Sequence, residues 1–170
     1  MDTTLGHDKL KPKQVLSEED ITTVAILAKQ IWTQHYTPII GIAQVDYMLA
    51  KFQNEAAISN QIEEGYDYTL WQAKEPIGYL SLLHQNDGLF ISKIYLLLHE
   101  RGKGYGKQMM DYAIAAAKAE KHKRIRLTVN KYNDKSIAAY EKLGFIKKNE
   151  VVFDIGKGYF MDDFEMELTI

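Results

Sequence analysis

The residues best equipped for chemistry in this sequence form the run Arg101-Gly102-Lys103-Gly104-Tyr105-Gly106-Lys107. It lies between the apolar stretch Ile94-Tyr95-Leu96-Leu97-Leu98 and an amphipathic stretch of helical spacing. Glycines in such a place let backbone N–H groups approach a ligand, and the N-terminus of a helix adds unpaired donors and a partial positive charge. Phosphate is the ligand this arrangement prefers. Spacing excludes two familiar phosphate loops. A Walker loop needs four residues between its glycines and Ser or Thr after its Lys, whereas Gly102 and Gly106 enclose three and Gln108 follows Lys107. The dinucleotide fingerprint would put its third glycine at Lys107.

About thirty residues downstream stands Asn133-Asp134-Lys135-Ser136-Ile137-Ala138-Ala139-Tyr140-Glu141-Lys142-Leu143-Gly144-Phe145, a short helix opened by Asn and closed by Gly. Seven residues make about two turns, so Asn133 and Tyr140 share a face, separated by roughly 10 Å along the axis. Taken singly, Asn133 would be a helix cap, Tyr140 a core tyrosine and the loop a glycine-rich turn. Taken together and in order, they resemble the GNAT acetyltransferases, whose cofactor pattern Arg/Gln-x-x-Gly-x-Gly/Ala is filled here by Arg101, Gly104 and Gly106. The resemblance covers residues 89–169 well; the earlier part fits the family's architecture without a specific motif.

The resemblance implies acetyl-CoA as cofactor, with coenzyme A as product. Residues Arg101, Gly102, Lys103, Gly104, Tyr105, Gly106 and Lys107 would bind the pyrophosphate, largely through backbone amides. Main-chain groups of Leu96, Leu97 and Leu98 would bind pantetheine and polarise the thioester carbonyl. Asn133 would bond the pantetheine arm, with Ser136 and Lys142 on the same cofactor side, and Tyr140 would stand near the sulfur. A departing thiolate of pKa about 8.5 needs a proton, and a tyrosine of pKa about 10 is a matched donor. The implied reaction is direct attack of a bound primary amine through a tetrahedral intermediate, with backbone donors stabilising the oxyanion. The absence of Cys agrees with a route lacking an acyl-enzyme, although a Ser route stays open.

The base that takes the amine's proton is left open. Many relatives place a Glu before the loop, where this chain has Phe90-Ile91-Ser92-Lys93-Ile94. His84, Tyr95 and a water chain are the candidates. The tail, Asp154 to Leu168, is acidic and aromatic and looks like that of polyamine-type acetyltransferases. Acids beside an acceptor pocket would favour a small amine such as a polyamine, unless they are solvated carboxylates of an edge hairpin. Acetylation of a protein N-terminus or lysine, and a non-catalytic acyl-CoA-binding module, are the alternatives.

Behind these motifs the periodicity predicts the elements that hold them. Short strand character near Leu10–Leu16 precedes a helix capped by Ser17, running to about Tyr36 and ended before Pro38. Helices are expected near Ile42–Gln53 and Glu55–Glu64, then strands at Tyr66–Trp71, Ile77–His84 and Leu89–Leu98. A helix from Gly104 to about Lys121, a strand Ile125–Val129, a helix Asn133–Leu143 and strands Gly144–Val152 and Tyr159–Leu168 complete the chain. This order is a mixed α/β (α+β) sandwich. The resemblance sharpens it to a GNAT-like fold in one domain, residues 1–170, with a central mixed, mostly antiparallel twisted sheet of about six to seven strands flanked by helices.

Composition narrows the classes. With 46% hydrophobic and 26% charged residues the chain reads as a soluble globular protein, and its apolar runs are too short to span a bilayer. Met1–Lys13 lacks a secretory pattern, so the cytoplasm is expected. No cysteine is present, and the histidines His7, His35, His84, His99 and His122 are scattered, so no metal is expected. Residues 99–148 carry 13 Lys and Arg against 5 Asp and Glu, while the remainder carries 8 against 18. A basic segment suits a polyphosphorylated ligand and an acidic surround a cationic co-substrate, uneven solvated surface being the plainer explanation. No nucleic-acid platform accompanies the basic segment, so the expected partner is a small-molecule amine, with no nucleic acid and no membrane; a homodimer is left open.

Overall fold

The computed structural model describes residues 9–170. Residues 1–8, which include His7 and much of the Met1–Lys13 stretch read for a secretory signal, lie outside them. The first helix, α1 (Glu18–Ile40), starts where the sequence signals it: the Ser17 hydroxyl accepts the Asp20 N–H at 3.1 Å, and Glu18, Glu19 and Asp20 complement the helix dipole. It outruns its expected end near Tyr36 and carries Pro38 inside it. One turn from a helix end, proline removes only the bond to the Gln34 carbonyl, and the Thr33 carbonyl is taken by the Thr37 hydroxyl at 2.5 Å. Gly41, at φ 84°, stops the helix instead.

Helices α2 (Ile42–Phe52) and α3 (Glu55–Glu63) follow, the latter capped by Asn54. The strands are β1 (Lys11–Gln14), β2 (Asp67–Gln72), β3 (Pro76–Gln85), β4 (Gly88–Leu96), β5 (Arg124–Asn130), β6 (Ile146–Gly156) and β7 (Tyr159–Thr169), with α4 (Tyr105–Ala119) and α5 (Asp134–Lys142) between them. They form one sheet in the order β1-β2-β3-β4-β5-β7-β6. Only the β4–β5 pair is parallel. This is the expected mixed, mostly antiparallel seven-stranded sheet flanked by helices.

Helices α1 and α4 cover opposite faces. The Trp32 indole donates to the Tyr79 hydroxyl at 3.1 Å, while the Trp71 ring meets Tyr112 of α4 at 5.2 Å. Tyr79 pairs with Leu70 and Trp71 with Gly78, one step apart in the ladder, so the two side chains point to different sides. Under α1 and α2 a polar bridge is buried: Gln53 accepts from Tyr79 at 2.6 Å and donates to the Tyr68 hydroxyl at 3.1 Å.

Strand β4 ends at Leu96, two residues before the expected Leu98. Its partner runs out there, because β3 begins at Pro76, which has no N–H to lend. Leu97 gives its N–H to the Ile77 carbonyl at 2.9 Å and sinks into the core, while Leu98–Glu100 turn as a 3₁₀ helix with Leu98 exposed. At the other end β6 runs past the expected Val152 to Gly156, drawn on by its hairpin pairing with β7.

Candidate active site

The site begins where two strands part. β4 and β5 pair only at Leu89↔Ile125 and Phe90↔Arg126, and beyond those positions they share no ladder. A bulge contributes: Ser81 and Leu82 of β3 face Lys93 and Ile91, leaving Ser92 as the extra residue that bends β4. Between the parted strands lies a cavity of about 1220 Å³, walled by residues 90–96 on one side and 127–130 on the other. That exceeds the usual span of a small-molecule pocket, about 300–1,000 Å³, and leaves room for two ligands.

At one end of the cavity sits the glycine loop. Gly102 and Gly104 hold φ of 79° and 81°, a left-handed backbone that favours glycine, and a Cβ built on either would meet nothing within 4 Å. Among the described residues, no protein acceptor takes the backbone N–H of Gly102, Lys103, Gly104, Gly106 or Lys107. Arg101 differs: its N–H goes to the Leu98 carbonyl at 3.3 Å, and its guanidinium lies 3.1 Å from His35 Nδ1. The Tyr105 ring is core, Lys103 pairs with Glu100 at 3.0 Å, and Lys107 pairs with Asp111 at 2.9 Å. Gly102, Gly106, Lys107 and Arg101 line the cavity; Leu97, Leu98, Lys103, Gly104 and Tyr105 do not.

Helix α5 forms the adjoining wall, where Asn133, Ser136, Tyr140 and Lys142 all line the cavity. Asn133 is the helix cap, its side-chain oxygen accepting the Ser136 N–H at 3.4 Å. Burial pushes the Tyr140 phenol well above its ordinary pKa, the neighbouring Tyr36 pushes it further, and Arg101 pulls it partly back. It is therefore held protonated at neutral pH. Also on the cavity wall, the hydroxyls of Tyr36 and Tyr95 stand 3.0 Å apart, and burial pushes Tyr36 up to about 12 and Tyr95 well above its ordinary value.

The candidate bases fare unequally. His84 lies outside the cavity, where its Nδ1 meets His122 Nε2 at 3.0 Å on exposed surface. Tyr95 is too weak an acid to be ionised at neutral pH. Two cavity residues were not singled out by the motifs. Lys93 has its amine lowered to about 8 by burial, with the Ser92 hydroxyl at 2.8 Å. Asp163 is 3% exposed and makes no ion pair within 4 Å among the described residues. Burial pushes its carboxyl up to about 6, Asp162 adds to this, and a Thr128 hydrogen bond and Lys131 oppose it. Strand alternation carried the signal, since of the adjacent pair Asp162-Asp163 only one can face Lys131, which Asp162 meets at 2.8 Å.

Two further tail acids pair with the basic segment: Glu165 meets Arg126 at 3.6 Å, and Glu167 meets Arg124 at 3.1 Å and Lys148 at 3.5 Å. Among the described residues, only Glu64 and Asp154, both exposed, and the buried Asp163 bring carboxylates to the cavity.

A family model described as acetyltransferase (GNAT) family matches residues 29–145. The chain belongs to the GNAT acetyltransferase family. As a GNAT protein it is an acyl-CoA-dependent N-acetyltransferase that draws its acetyl group from acetyl-CoA. Comparison with curated proteins returned no match. Among solved structures, the GNAT chain is similar to a PaiA N-acetyltransferase from Thermoplasma acidophilum in complex with coenzyme A: 21% identity, 96% of this chain and 100% of that one, TM-score 0.81. A GCN5-related N-acetyltransferase from Rhodopseudomonas palustris matches at 18% identity over 97% and 100% of the two chains, TM-score 0.79. The ribosomal-protein-S18-alanine N-acetyltransferase of Escherichia coli matches at 16% identity over 95% and 94%, TM-score 0.70. At these identities the likeness is one of fold. Among the described residues no helix is long and apolar enough to cross a membrane.

Proposed function

We propose that this acetyltransferase acts on a primary amine of a small molecule, a polyamine such as spermidine being the class its cavity suits. The observation that carries this reading is the continuity of one cavity from the glycine loop at Gly102 to the carboxylates of Asp163 and Asp154. Ile40, Met48 and Phe52 also line it and suit methylene spacers, and the carboxylates suit ammonium groups.

The residues present fit acetyl-CoA. The free N–H groups of Gly102, Lys103, Gly104, Gly106 and Lys107 would hold its diphosphate at the start of α4. Main-chain groups of Leu96, in the gap between β4 and β5, would hold pantetheine; Leu98 is off the cavity wall, with its carbonyl taken by the Arg101 N–H at 3.3 Å. Leu97 drops out of that role, because its N–H goes to Ile77 and its carbonyl accepts from Glu100 at 3.0 Å. Asn133, Ser136 and Lys142 would flank the same arm from α5. When bound, acetyl-CoA supplies an activated acetyl group with a thiolate leaving group. Tyr140, held protonated by burial, is the donor for that thiolate.

The test is release of coenzyme A thiol, corrected for hydrolysis, with spermidine, an alanine-N-terminal peptide and a lysine peptide. Turnover with spermidine alone supports this reading. Turnover with a peptide alone moves the acceptor to protein.

A further inference from the structure

At neutral pH a primary amine of pKa about 10 arrives as an ammonium, which has no lone pair to attack with. A cavity that runs this reaction needs a proton acceptor inside it, near the proton donor and open to the substrate. Of the three carboxylates on the cavity wall, Glu64 and Asp154 stand exposed at its rim. Asp163 alone is buried within it. It pairs with Asn130, the last residue of β5, across the edge of that strand away from β4, and it lines the cavity that opens where β4 and β5 part.

The surroundings of Asp163 place it beside the other polar groups of the cavity. From α1, Tyr36 faces it closely enough to feel its charge, and Tyr36 in turn acts on Tyr140. From β5, the Thr128 hydroxyl stabilises its ionised form; Lys131, just beyond β5, does the same, and the adjacent Asp162 of β7 opposes ionisation. From β6 the residue opposite is the uncharged Val151, and Lys93 of β4 lines the same cavity. A carboxylate that is covered, has one hydroxyl donor and no cation in contact is costly to bury, and nothing in the packing requires it.

We propose that Asp163 is the catalytic base, taking the proton from the acceptor's ammonium group; this rests on the reading that the acceptor is a primary amine. The ammonium N–H bond breaks and an O–H bond forms on Asp163. The freed lone pair makes the N–C bond as the C–S bond breaks. Tyr140 gives its proton to the departing sulfur and recovers one from the nitrogen. Asp163 then releases its proton to water, so that each turnover yields one proton to solvent. A carboxyl raised to about 6 is ionised at neutral pH yet stronger as a base than an ordinary carboxylate.

The experiment is a pH profile of kcat/KM with saturating acetyl-CoA and either spermidine or benzylamine as probe. In the wild type, log kcat/KM is flat from neutral pH towards the amine's own pKa, because the ammonium is the form that binds, and falls with slope one below about 6 as Asp163 is protonated. Asp163→Asn loses about 10²-fold at pH 7.5 and instead rises with slope one through neutral pH, since it must draw on the small fraction of free amine, while Asp163→Glu recovers part of the loss. The thermal upshift caused by acetyl-CoA stays as in the wild type for both variants, which shows an intact fold and cofactor site. An Asp163→Asn enzyme with wild-type rate, or with the wild type's neutral plateau and break near 6 intact, overturns the proposal. A second readout needs no turnover: carbon-13 titration of the aspartate carboxyls in the wild type. If neither probe amine is acetylated, the small-amine reading fails and the titration alone decides, as it also does should Asp163→Asn not fold. A midpoint for Asp163 in the ordinary carboxylate range overturns its role as base; a raised midpoint supports it.

Discussion

Arg101 Nη1 lies 3.1 Å from Nδ1 of His35, which ties the glycine loop to α1. A guanidinium can only donate, so His35 accepts at Nδ1 and carries its proton on Nε2. The Asn133 side chain stands near the same ring and favours its protonated form, so one imidazole lies between the loop, α1 and the cap of α5. Burial lowers the His35 pKa and Arg101 lowers it further, which keeps the ring neutral at and somewhat below its ordinary titration range.

His35→Leu is therefore expected to raise KM for acetyl-CoA about tenfold, the scale of a hydrogen bond to a charged group, with kcat nearly unchanged. The sign with pH follows from the lowered value. The linkage is present at neutral pH, and its stability contribution is lost as pH falls below the ordinary histidine range through the lowered folded-state value. Cofactor affinity measured by calorimetry should weaken with acid in the wild type and much less in His35→Leu.

Tyr140→Phe removes a phenol that burial keeps protonated. Turnover should fall by about 10²-fold or more while acetyl-CoA binding is retained. Single-turnover rates with preloaded acetyl-CoA check it, and an unchanged rate would remove Tyr140 from the acid role.

Gly104→Glu puts a side chain and a negative charge where the backbone is left-handed and the space is open. A non-glycine residue in that conformation costs about 1 kcal/mol, so the protein should still fold. Its thermal upshift with acetyl-CoA should nearly vanish. A normal upshift would mean that the diphosphate binds elsewhere.

Asp163→Asn carries a stability consequence opposite to its catalytic one. Because the folded-state value is raised, the wild-type carboxyl favours folding most when protonated, and that advantage is lost as pH rises from its unfolded value of about 4 through the folded value of about 6. The variant should gain up to about 3 kcal/mol over the wild type above that range and little below it. Denaturant midpoints at pH 4 and pH 7.5 test this; a variant that is less stable at pH 7.5 refutes the buried-charge account.

Local chemistry was legible in the sequence wherever it is local in the chain. The loop Arg101–Lys107, the cap at Asn133 and the position of Tyr140 seven residues on depend on neighbours within a turn or two, so residue type and spacing suffice. The elements were legible for the same reason, and their errors arose where a distant partner decides. Pro38 is tolerated because the helix ends on Gly41, and β4 stops at Leu96 because β3 has no further N–H to pair.

The acceptor side was not legible, because it is made of side chains far apart in the chain. Tyr36, Lys93 and Asp163 meet only through α1, β4 and β7, and the parting of β4 from β5 depends on a bulge at Ser92 that periodicity does not reveal. Charge counted along the chain could not separate the tail acids for the same reason: Glu165 and Glu167 pair with basic residues of β5 and β6, while Asp154 and Asp163 reach the cavity. The sequence by itself determined the family and the donor, and it marked the loop proposed to hold that donor, since those rest on backbone geometry that short runs encode. Tertiary structure alone decided which carboxylate is stripped of water and cations, because burial is a property of what packs around a residue and not of the residue.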